Sequence, residues 1–151
     1  MRRGQCFLAA VAALALWGAV ARGGNLSWSF AGSLEGWQPG NWEAIEATPE
    51  GLRGVTRFDA QLLSPKLDIQ AEDYPVMLVL LSSSLSGPGE TFIGAPGERL
   101  SDNRKATHSL TADPRERLYR IDLRRALGGW QGPIERLRFD PLNAAGAEVT
   151  I

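Results

Sequence analysis

Val76-Met77-Leu78-Val79-Leu80-Leu81 is an unbroken apolar run of six, bounded by Pro75 on one side and the Ser82–Ser84 run on the other. It is too short for a typical helix. Continuous apolar runs of this length mark strands covered on both faces, so the segment is expected at the centre of a sheet. Toward the N-terminus, Gln61 to Ile69 reads as extended chain on both sides of Ser64-Pro65, where proline cannot donate a ladder hydrogen bond and an edge or bend is expected. Gly51 to Arg57 and Trp42 to Ala47 are two further strands. The stretch Leu34 to Gly40, with two glycines and a proline, is a turn. Trp28 and Phe30 alternate with Ser27 and Ser29, the period-2 pattern of a first strand with both aromatics on one face.

Toward the C-terminus, Thr91-Phe92-Ile93, Lys105 to Thr111, Leu118 to Leu123, Ile134 to Phe139 and Ala147 to Ile151 read as strands. The glycines and proline between Arg124 and Pro133 leave room for one helical turn at most. About ten short strands with turn signals at close intervals predict an all-β fold, an antiparallel β-sandwich or barrel. The last strand reaches Ile151 without a turn or polar tail. Either it is complete there or the chain is cut within it.

Of the 151 residues, 44% are apolar, so wholesale disorder and fibrous repetition are excluded. Residues 1–21 hold 16 of the apolar residues. Arg2 and Arg3 precede an apolar run from Cys6 to Val20, and Ala19-Val20-Ala21 supplies a small-x-small cleavage pattern, so residues 1–21 are expected to be a secretory signal peptide. The run ends at Arg22, short of the about 20 apolar residues that cross a membrane. Residues 22–151 then form one β-sandwich domain, secreted to an extracellular, periplasmic or cell-envelope location, with no membrane contact after cleavage. Cys6 is the only cysteine, so the mature chain forms no disulfide and no cysteine-ligated metal site. Asn25-Leu26-Ser27 matches the N-glycosylation sequon.

Without Arg2 and Arg3 the chain carries 14 basic and 17 acidic residues, a net charge of −3, which gives no field to attract nucleic acid. Seven arginines between Arg115 and Arg138 are interleaved with Asp113, Glu116, Asp122, Glu135 and Asp140, the pattern of a salt-bridged surface. No GxxxxGK[ST], GxGxxG or GxSxG motif occurs. His108 is the single histidine, a strand residue with no cysteine to complete a metal cluster. Paired carboxylates for glycoside hydrolysis are available among Glu43, Glu46, Asp59, Asp122 and Asp140, as in any acidic chain. No catalytic function and no cofactor are expected.

The aromatic residues carry the functional signal, because indole rings stack on the C–H faces of sugars as well as filling cores. Trp28 shares a face with Phe30 and reads as core. Trp37 and Trp130 lie in glycine-flanked turns, where each either plugs one end of the sandwich or lines a ligand loop. If Ile45 points into the core, alternation turns Trp42, Ala44 and Glu46 to the opposite face, an aromatic platform four positions from a carboxylate. Arg57 and Asp59 flank Phe58 and either clamp sugar hydroxyls or form a structural ion pair. The candidate ligand-binding set is Trp42, Glu46, Arg57, Asp59 and Trp130.

Trp28-Ser29-Phe30, Glu35-Gly36-Trp37, Leu62 to Ile69, Tyr119 to Leu123, Trp130-Gln131-Gly132 and Leu137 to Pro141 occur in an order that resembles the galactose-binding-domain-like jelly rolls, over nearly all of residues 27–151. The resemblance implies a sandwich of eight to ten strands that binds a polysaccharide, a glycan or an extracellular protein without catalysis. In many relatives the final strand runs on into a segment that contributes to a structural calcium site. The alternative role is a structural or protein-interaction domain of an envelope or extracellular assembly, with every tryptophan in the core.

Overall fold

The computed structural model describes residues 25–151, so the signal-peptide expectation for residues 1–21 lies outside the described residues. Ten strands are present: β1 (Gln38–Thr48), β2 (Gly51–Leu63), β3 (Ile69–Gln70), β4 (Val76–Ser83), β5 (Gly87–Gly94), β6 (Lys105–Leu110), β7 (Asp113–Asp122), β8 (Pro133–Ile134), β9 (Arg136–Asp140) and β10 (Glu148–Thr150). Two single 3-10 turns, Ala71–Asp73 and Leu123–Arg125, are the only helical residues described. No helix among them is long and apolar enough to cross a membrane.

Every ladder is antiparallel. The main sheet runs β6-β5-β9-β2-β10-β4-β7, with β1 paired along the other side of β2, and β3 and β8 form a separate pair. The sheet folds over on β2. Its first half pairs with β10 through Arg53–Val55, and its end pairs with β9 through Leu62 and Leu63. One leaf of the sandwich is therefore β10-β4-β7 and the other β9-β5-β6. Leu52, Val79, Leu81 and Val149 from the first leaf meet Leu62, Ile93, Leu137 and Phe139 from the second in one buried cluster. Ile151 continues β10, exchanging two backbone hydrogen bonds of 2.8 Å with Leu52.

The bend lies in the β1–β2 hairpin. Between the pairs Gly40–Gln61 and Trp42–Thr56, one residue of β1 faces four of β2, Arg57 to Ala60, and both Asn41 (φ 58°) and Asp59 (φ 62°) take the left-handed backbone that asparagine and aspartate tolerate best among side-chain-bearing residues. A second irregularity between Trp42 and Ala44 leaves Glu43 as the extra residue of a β-bulge.

Three local expectations change. Trp28 to Phe30 is not a strand: Phe30 sits at φ 55° and the segment has no ladder partner, although Trp28 and Phe30 do pack together, edge-on against Trp37 with ring centroids 5.1 and 5.9 Å away. The strand expected at Thr91-Phe92-Ile93 starts earlier, at Gly87-Pro88-Gly89, where β5 passes close to its neighbours. A Cβ on Gly89 would collide with the His108 ring and the Pro141 carbonyl. The Val76–Leu81 run is not covered on both faces. Leu78 and Leu80 are 60% and 50% exposed while Val79 and Leu81 are buried, since only the opposite leaf packs on β4 and nothing described covers its outer side.

Candidate functional site

The β2 excursion pushes Arg57 and Phe58 into solvent, with the Phe58 ring 68% exposed. Asp59 turns the other way along the sheet. Its carboxylate accepts a hydrogen bond from the Arg138 guanidinium on β9, and its carbonyl accepts one from Asn41 Nδ2 at 3.2 Å. Asp59 therefore pairs with Arg138, 79 residues away, rather than with Arg57. Arg138 also donates to Asp140, Nε to Oδ1 at 2.8 Å and Nη2 to Oδ2 at 2.6 Å.

The same face continues across β5 and β6. Phe92 has two cations over its ring, the Arg138 guanidinium at 4.6 Å and Lys105 Nζ at 5.2 Å, each placed by its ladder pairing with Phe92. Lys105 in turn binds Glu90 at 2.5 Å and Asp102 at 2.8 Å. The result is a polar band, Asp102-Lys105-Glu90 and Asp140-Arg138-Asp59, laid over one buried aromatic ring.

Burial pushes the Asp140 carboxyl up to about 6 despite the Arg138 pair, with the negative charges of Asp59 and Glu90 adding to the effect. Lys105 is held above its ordinary value, first by its hydrogen bond to Asp102. His108 lies on the inner side of this leaf, stacked on Phe139 at 5.4 Å with Nε2 3.3 Å from the Pro141 carbonyl, and burial lowers its affinity for a proton. Among the described residues no group of three or more His, Cys, Asp or Glu is placed to hold a metal ion.

The residues singled out from the sequence divide into three groups. Trp42, Arg57 and Asp59 gather at the bend. Glu46 is exposed further along β1, opposite Arg53. Trp130 stands apart, 8% exposed in the core cluster, with its Nε1 donating to the Ala71 carbonyl. Trp42 is half-buried. Its Nε1 donates to the Gln61 carbonyl at 2.9 Å, and its ring covers Gly54. The bulge at Glu43 shifts the alternation by one, so Trp42 packs on the same core side as Ile45 and Ala47 instead of opposite Ile45. Phe58, Phe92, Glu90, Lys105 and Arg138 were not read as site residues. An aromatic between Arg57 and Asp59 was the available signal for the first. The others depend on β9 lying between β5 and β2, which no local pattern encodes.

No family model and no curated protein matches the chain. Solved structures do match its fold. A family 29 carbohydrate-binding module superposes with a TM-score of 0.51 at 7% identity, covering 76% of this chain and 73% of its own. A second, described as a CBM4 structure, gives 0.52 at 13% identity over 80% of this chain and 92% of its own. A third is a family 29 module complexed with cellulohexaose, at 0.51 and 7% identity over 76% of this chain and 75% of its own. The fold is that of these carbohydrate-binding modules. At such identity the likeness extends to the β-sandwich and to no individual side chain.

Proposed function

We propose that the protein is a secreted, non-catalytic glycan-binding module that holds a polysaccharide segment at the β1–β2 bend. The observation that carries this reading is the exposed Phe58 ring next in sequence to Asp59, whose carboxylate is held by Arg138. An aromatic face accepts the C–H side of a pyranose, and carboxylates and guanidinium groups fixed nearby pair with its hydroxyls in a defined orientation. Trp42, Arg57 and Asp59 lie together at this bend, with the accessible part of the Trp42 indole as a second stacking element, while Glu46 faces the other side of β1. The cellulohexaose held by one structural neighbour supports a β-linked glucan as the first ligand to test.

Calorimetric titration with cellohexaose, followed by a glycan array, tests the proposal. Binding that is lost in Phe58→Ala and weakened in Trp42→Ala supports it. A folded protein that binds no glycan, or that binds equally well in both variants, overturns it. A protein-contact role is favoured by a separate observation, the solvent-facing leucines of the opposite leaf.

A further inference from the structure

β7 is the last strand of its leaf, and among the described residues no strand pairs with its outer edge. Such an edge presents a row of free N–H and C=O groups to any second strand. Beside it lies an apolar surface. Leu80 stands opposite Leu118 in the β4–β7 ladder, and Leu78, Leu80 and Leu118 are 60%, 50% and 65% exposed on the same outer face.

From these features we infer that a second copy of this chain docks on β7, edge to edge and antiparallel, about a two-fold axis through Leu118. The sequence of β7 is self-complementary in that register. Glu116 of each copy falls opposite Arg120 of the other, Leu118 meets Leu118, and Arg117 meets the ring of Tyr119. An opposite-charge pair is thus made twice, and the two leucines at the axis join Leu80 of each copy in a continuous row across the seam. Like charges brought directly opposite one another across a strand pair oppose association. Here Asp113, Glu116 and Asp122 balance Arg115, Arg117 and Arg120, so the strand is neutral and two copies do not repel. Arg115 and Arg117 are both drawn to Asp113 within their own chain, at 3.3 and 2.5 Å, whereas Glu116 is in no ion pair among the described residues and Arg120 has only a long contact of 4.0 Å to Asp122, so these two form the pair facing the partner.

Sedimentation equilibrium of the protein and its charge variants tests this arrangement, because all the residues changed are exposed. A monomer–dimer equilibrium is expected, with Glu116→Arg alone and Arg120→Glu alone each weakening the dimer by about tenfold or more. The double variant E116R/R120E is expected to restore it, and an equimolar mixture of the two single variants to form the heterodimer. A protein monomeric at all concentrations overturns the inference. So does a dimer indifferent to these exchanges.

Discussion

Arg138 grips Asp140, two residues along the same strand, with two hydrogen bonds of 2.8 and 2.6 Å, yet the carboxyl is held near 6 because it is buried. The native state therefore keeps a proton on Asp140 at pH values where the unfolded chain, titrating near 3.8, has lost it. This contribution to stability is complete below about 3.8 and disappears as pH rises through about 6. Asp113 and Asp122 act in the opposite sense. The Arg115 backbone N–H and the Arg115 and Arg117 side chains hold the first well below the usual range, and Arg124 holds the second at about 2, so their contributions are lost as pH falls. Asp140→Asn removes only the first effect. Urea unfolding at pH 4 and pH 7 should show the variant gaining on the parent protein as pH rises. A difference independent of pH would mean that Asp140 titrates normally.

Gly54 is the floor beneath Trp42. A Cβ there would meet Trp42 Cε3 at 2.6 Å and the Ala44 carbonyl at 2.8 Å. Gly54→Ala should destabilise the fold by about 1–3 kcal/mol through this overpacking, and should alter the near-ultraviolet circular dichroism of the displaced indole. A neutral substitution with an unchanged spectrum would show that the ring does not rest on Gly54.

Neighbours on β4 should respond in opposite ways. Leu81 is 1% exposed, so Leu81→Ala should cost about 2–5 kcal/mol. Leu80 projects to the outer side, and Leu80→Ser should change monomer stability by no more than about 0.5 kcal/mol. Chemical denaturation of the two variants measures both. A large loss at Leu80 would mean that this face is covered within the monomer.

Phe58→Ala should leave stability within about 0.5 kcal/mol of the parent protein, since its ring is in solvent. Its thermal midpoint, read beside the binding titration, separates a lost contact from a lost fold. A large fall in the midpoint would place Phe58 in the core.

Acrylamide quenching should divide the described tryptophans. Trp37 and Trp130, at 4% and 8% exposure, should resist, and Trp28 and Trp42, which are half-buried, should be quenched in part. A reduced quenchable component in Trp42→Phe would assign its share, and equal quenching of every indole would contradict the packing.

Most strands were legible because their signals are local. At Ser64-Pro65 the proline marks the end of β2, which stops at Leu63. The failures have equally local causes. Period-2 reasoning across Trp42 to Glu46 assumes an uninterrupted ladder, and one extra residue at Glu43 reverses the face of everything before it. Alternation at Trp28 and Phe30 reported correctly that the two aromatics pack together, but a strand also needs a partner, and none lies beside them.

The candidate surface was legible only at its bend. Trp42, Arg57 and Asp59 were near one another in sequence and remain so in space. Arg138 joins them because β9 pairs with the end of β2, a contact between residues 79 apart.

An all-β chain with about ten strands follows from spacing, turn residues and the absence of helical period, each set by neighbours along the backbone. Which side of a strand is covered, and which charges meet, follows from strand order. Leu78 and Leu80 read as core because apolarity records what a residue tolerates. Their exposure came from the position of β4 in a leaf packed on one side, which only long-range pairing establishes.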